Sequence, residues 1–197
     1  MRKVLRPALV LIMLAGLALA GHGLYMQAKA ALSQVLLARA FDERLAGNAE
    51  ARPWPWADFT LAGRIEAPRI QRANIVLAGV TGEALAFGPG LMPNLPVPGQ
   101  QGTAVIAAHR DSHFAWLKQV IAGDTIRIIN PDGRRLDFVV TGTRIAKWND
   151  SGINPHAYGR HLALVTCFPF DARTHGDLRY IVETVLKQDL PATVAGM

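Results

Sequence analysis

At 197 residues, half of them hydrophobic, the chain has material for one domain of ordinary size and is too apolar for extended disorder. Its 18 glycines and 12 prolines suit many short elements joined by turns better than a helical bundle. The formal charge of +6 invites a phosphate-binding reading, yet apart from Arg2, Lys3 and Arg6 the basic residues are scattered among acids with no run and no aromatic interleaving, which favours a solvated surface over a nucleic-acid face.

The opening residues place three cations before an apolar run from Ala8 to Leu19, the pattern of an export signal. Two readings compete. In one, Ala18, Leu19 and Ala20 form an A-x-A cleavage site; in the other, the run continues through Gly21 to Met26 and residues 1–26 remain as a single-pass membrane anchor. Leu24, Tyr25 and Met26 extend the run past the cut, which favours the anchor. Either way the cations stay cytoplasmic and the bulk of the chain is expected outside.

From Gln27 to Gly47 the composition is rich in Ala, Leu, Arg and Glu, with Leu32, Val35 and Leu36 at helical spacing, so a helix is expected as a free stalk or packed on the flank of the domain. Pro53 and Pro55 alternate with Trp54 and Trp56 and end it, giving a stalk and linker over 27–57. The tryptophans are expected to cover the domain or lie near a membrane surface.

Beyond Asp58 short runs are bounded by Gly, Pro, Asn and Asp. Strands are expected at "TLAGRIEA", "NIVLAGV", "GTAVIAA", "HLALVTC" and "LRYIVETVL", and "DTIRII" should form a hairpin with "RLDFVVTGTRIAKW" through the turn "NPDG". The segment "SHFAWLKQV" reads as a short helix capped by Ser112 or Asp111. This spacing, without βαβ periodicity, predicts a mostly β domain over 58–189: an antiparallel or mixed closed barrel of about seven to eight strands with one or two short helices. Residues 190–197 remain as a tail.

The single cysteine, Cys167, cannot form an internal disulfide. It is a buried small hydrophobe on the face shared with Ala163 and Val165, a site of intermolecular pairing, or a nucleophile at the end of a strand. His109 ends "AVIAAHRD" in the same way, and an imidazole there can serve as base, then acid, or as satisfied surface histidine. Arg179 enters the strand "LRYIV" as a permanent cation able to hold a developing oxyanion, or as a strand-edge ion pair. A zinc site is disfavoured: His109 and His113 are four apart but His109 precedes the helix, and His156, His161 and His175 bring no cysteine or acidic cluster.

Together these segments resemble one family. "FGPGLMPNLPVPGQQGTAVIAAHRDSHFAWL" is similar to the region leading through the catalytic histidine of the sortases, cysteine transpeptidases of the bacterial cell envelope; "LALVTCFPF" resembles their TLxTC motif, and "LRYIV" the strand bearing their catalytic arginine. The resemblance covers residues 60–186 and looks closest to the group from Gram-negative proteobacteria, through "HRD", "TCFPF" and the N-terminal anchor. It implies Cys167 as nucleophile, His109 as general acid or base and Arg179 as oxyanion and substrate stabiliser. It further implies an LPxTG-like C-terminal sorting signal as substrate and an amine acceptor; the N-terminal segment puts the catalytic domain on the periplasmic side of the inner membrane, and no cofactor or metal is expected. Ala163 departs from the first Thr of the motif and Ala108 from a Gly often found before the histidine. Arg110 and Arg173 are rivals for the arginine role, and Asp111 is expected to act as a cap. A catalytically idle barrel acting as an envelope binding module is the competing reading.

Overall fold

The computed structural model describes residues 2–172, 174 and 176–190. Arg173, His175 and the expected tail from 191 onward lie outside the described residues, as do the side chains of Arg2, Lys3, Arg6, Leu24, Tyr25 and Met26 on which the anchor reading turns.

The chain opens with one helix, α1 (Arg2–Leu45), unbroken at the expected junction between anchor and stalk. Among the described residues, no helix is long and apolar enough to cross a membrane. The end of α1 is not a free stalk. Leu37 and Phe41 are fully buried against Leu61, Ile75, Leu77 and Ile129, and Gln34 Nε2 donates to the Phe87 carbonyl. In the linker, Trp54 packs edge-on against Phe59 and Phe87 with ring centroids 5.4 and 5.1 Å apart, so it covers the domain, whereas Trp56 is 81% exposed.

Eight strands follow: β1 (Leu61–Ala67), β2 (Arg72–Ala78), β3 (Gly90–Leu91), β4 (Gly102–Ala107), β5 (Thr125–Ile129), β6 (Arg135–Lys147), β7 (Arg160–Phe168) and β8 (Leu178–Leu186). They close into a barrel in the order β1-β2-β3-β4-β7-β8-β6-β5, mixed because β2–β3 and β4–β7 are parallel. Closure gives each strand a neighbour on both sides, and alternation puts every second side chain into the interior. Ile65, Ile106, Phe138, Leu162, Leu164 and Val182 form the centre of that core, none more than 1% exposed.

One helical expectation is corrected. The segment after β4 is a 3₁₀ turn over Ala115–Gln119 with Phe114 at its cap and no side-chain capping bond, so neither Ser112 nor Asp111 caps it. Its backbone follows its side chains: Phe114, Trp116 and Leu117 are buried in the main core, and three such anchors within four residues suit the tight 3₁₀ geometry. A second helix, α2 (Gly82–Phe87), is capped by Thr81, whose hydroxyl accepts from the Ala84 N–H at 3.2 Å.

Candidate active site

β7 runs between β4, parallel to it, and β8, antiparallel to it. Alternation along β7 sends Leu162, Leu164 and Thr166 inward and leaves Ala163, Val165 and Cys167 on the outer face. That outer face is not bare. Val105, Ala163 and Ile181 form a second buried cluster, against which Leu95, Ala146, Ile153 and Val165 pack from the strands and from the segments 92–101 and 148–159. The 148–159 segment is held down at the start of β4, where Thr103 N–H donates to the Pro155 carbonyl and Thr103 Oγ1 to the Asn154 carbonyl at 2.8 Å. Gly102 permits the approach: its φ is +103°, and a Cβ there would lie 2.2 Å from the Pro155 carbonyl oxygen. Cys167 thus ends a covered apolar strip on the outside of the barrel, as a half-buried free thiol rather than a core residue.

The neighbours of Cys167 are fixed by backbone register. Across the β7–β8 pair, Cys167 stands opposite Arg179. On the other side the β4–β7 ladder ends at Ala107 opposite Val165, and Ala108 N–H donates to the Val165 carbonyl at 3.2 Å. Thr166, 2% exposed, then donates its hydroxyl to the Ala108 carbonyl at 2.7 Å. The residue before the cysteine is thereby tied to the residue before His109, and His109 leaves β4 at the barrel end that carries Cys167. One end of three adjacent strands gathers Cys167, His109 and Arg179.

Phe168, Phe170 and Tyr180 pack ring against ring, with centroids 5.1 to 6.3 Å apart, and Phe170 and Tyr180 also pack against the main core. Arg179 Nη1 donates to the carbonyls of Gly176 and Leu178 at 2.8 and 2.9 Å. Of the two rivals for its role, Arg110 donates Nη2 to the carbonyls of Ala172 and Thr174 at 2.7 and 2.6 Å. Among the described histidines, His113 and His161 stand apart from one another. His113 is held below the usual imidazole range, first by burial, and then by the charge of His109; its Nε2 lies 3.5 Å from the Ala86 carbonyl. His161 lies at the opposite end of β7, with Nε2 2.8 Å from the Tyr158 carbonyl. Among the described residues no group of three or more His, Cys, Asp or Glu is placed to hold a metal.

The family model described as the sortase domain matches residues 65–187, more than half of the chain. The chain belongs to the sortase family. A curated relative, "Sortase D" of Bacillus subtilis (strain 168), is 26% identical over 122 residues, and the match spans 61% of this chain and 61% of the relative. Among solved structures, sortase A from Corynebacterium diphtheriae superposes with a TM-score of 0.61 at 22% identity, covering 72% of this chain and 67% of that one. Sortase C1 from Streptococcus suis superposes with a TM-score of 0.57 at 25% identity, covering 70% and 76%. These relatives come from Gram-positive bacteria, so the expected placement in a proteobacterial group finds no support in them.

Sortases are cysteine transpeptidases, and this sortase has its one cysteine inside the matched segment. The two departures from the motif sit quietly. Ala163 is 2% exposed in the outer cluster, and Ala108 is buried with its carbonyl bonded to Thr166. Thr166 is a functional position that the residue types alone do not single out; its signal is a hydroxyl ending the apolar run Leu162–Val165, one residue before the thiol.

Proposed function

We propose that this sortase is an active transpeptidase with Cys167 as nucleophile, His109 as general acid and base, and Arg179 as stabiliser of the oxyanion. The observation that carries the reading is the register: Arg179 directly opposite Cys167, and His109 brought alongside by the Thr166–Ala108 bond. The Cys167 sulfur, as thiolate, attacks the carbonyl at the cleavage point of an LPxTG-like C-terminal sorting signal, between Thr and Gly. An Arg fork suits the tetrahedral oxyanion because its planar donors are fixed and permanently charged. As the intermediate collapses the C–N bond breaks, the leaving amine takes a proton from His109, and a Cys167 thioester remains. An incoming amine then gives a proton to His109 and displaces the sulfur, so a new amide replaces the old one.

The apolar run of residues 8–26 supports retention as an anchor in the inner membrane, with the barrel on the periplasmic side; "HRD" and "TCFPF" are what speak for the proteobacterial group. The amine acceptor belongs to the cell envelope. The experiment is transfer: detergent-solubilised full chain, an LPxTG-like peptide and an added primary amine. The amide product is expected. Peptide binding without product would leave the idle binding module as the better reading.

A further inference from the structure

The connection between Cys167 and Arg179 is gripped by two arginines. Arg110 takes the carbonyls of Ala172 and Thr174, and Arg179 takes those of Gly176 and Leu178, so every second carbonyl from 172 to 178 is held by one guanidinium or the other. Arg110 follows His109 directly, so its grip joins the histidine's strand end to the connection that leads into β8. Both bonds from Arg179 use Nη1 alone. A guanidinium carries five N–H donors, so one nitrogen can anchor the group while the remainder is aimed elsewhere. The carbonyls that anchor Arg179 belong to a connection whose own position depends on Arg110.

Stability alone does not account for Arg110. Among the described residues its Nη1 is buried without a hydrogen-bond partner, a cost that makes the contact a poor fastener for a surface connection. We propose that Arg110 is a positioning residue: through the Ala172 and Thr174 carbonyls it sets the connection that aims Arg179 at the carbonyl attacked by Cys167. This rests on the role given to Arg179 above. Lysine would not replace it, because an ammonium on a flexible stem lacks the rigid fork that spans two carbonyls.

The test uses the full chain in detergent with an LPxTG-like peptide, comparing wild type, Arg110→Met, Arg110→Lys, Arg179→Lys and the Arg110→Met/Arg179→Lys double variant. Arg110→Met is expected to lower kcat for acylation about 10- to 100-fold with KM changed less than about threefold, as for a group whose loss is felt mainly in the transition state. Once Arg179 is replaced, the second change should cost at most about twofold more, because both act through one guanidinium. Multiplying losses, or a raised KM with kcat intact, would overturn the proposal. Arg110→Lys should show the same kcat loss and serves if the Met variant does not fold; wild-type rates in it would also overturn the proposal. A measurement free of catalysis separates this from the parent reading. The ¹⁵N resonances of the Arg179 guanidinium should shift or broaden in Arg110→Met; unchanged resonances would refute the positioning role. A shift in an enzyme that never acylates would refute only the role of Arg179.

Discussion

Cys167 and Arg179 are direct cross-strand partners in the antiparallel β7–β8 pair. Side chains of such partners project from the same face of a sheet, with Cβ atoms about 4.5–5.5 Å apart. The backbone register therefore makes the two residues neighbours, while the Arg179 guanidinium is held by the Gly176 and Leu178 carbonyls of the connection. Arg179→Lys keeps the charge and removes the planar fork. It should lower peptide transfer on the order of 10²- to 10³-fold, the scale for losing an oxyanion donor, with an unchanged circular dichroism spectrum. Near-normal transfer by the folded variant would take the role away from Arg179.

Thr166 is the buried tie between the strands of Cys167 and His109. Thr166→Val keeps the shape and strands the Ala108 carbonyl, which should cost about 1–3 kcal/mol in urea denaturation and reduce acylation further than stability explains. Thr166→Ser should keep both. Equal losses in the two variants would show that the methyl contributes as much as the hydroxyl and that the Thr166–Ala108 bond has no special role.

The last turns of α1 belong to the domain. Phe41 is fully buried, so Phe41→Ala should cost about 3–5 kcal/mol by leaving a cavity beside Leu61 and Leu77. Thermal unfolding checks this. A melting temperature within about a degree of wild type would mean that the helix end is dispensable.

His113 gives stability a dependence on pH. Burial, the largest cause, holds its folded pKa below the ordinary value of 6.5, and the charge of His109 acts in the same direction against the attraction of Asp111. The unfolded chain then binds more protons than the folded one between those two pKa values, so stability rises with pH there. This contribution is complete above about pH 6.5 and is lost as pH falls from there towards the folded value. Chemical denaturation at pH 7.5 and 5.5 should show a fall in wild type that His113→Gln reduces. An identical fall in both would assign the dependence to other groups.

Much of the barrel was legible because alternation and turn chemistry agree locally. The "NPDG" turn appears as expected, with Gly133 N–H donating to the Asn130 carbonyl, and seven strands fall where β-branched runs lie between turn residues. The two-residue β3 was hidden in a Gly- and Pro-rich stretch, since its strand character comes wholly from partners on β2 and β4. α2 is six residues long and opens on Gly82, too short for a helical period to show. Strand-end positions for Cys167 and His109 were legible for the same local reasons. What was not legible was the face. Ala163 and Val165 do share a face with Cys167, but only the parallel β4–β7 pairing and the segments laid over it place that face outside the barrel. Long-range pairing of this kind leaves no local pattern in the strand itself. The grip of Arg110 on the connection was hidden likewise, because a guanidinium reaching carbonyls 62 and 64 residues away depends on the fold alone.

The central claim is that Cys167 becomes acylated by a sorting-signal peptide. Intact-mass spectrometry of the full chain, quenched in acid after brief mixing with an LPxTG-like peptide, tests it directly. The reading predicts a mass increase equal to the acyl fragment ending in Thr, mapped to Cys167, removed by hydroxylamine and absent from Cys167→Ala. An unmodified protein that nonetheless binds the peptide, or an adduct that persists in Cys167→Ala, would contradict it.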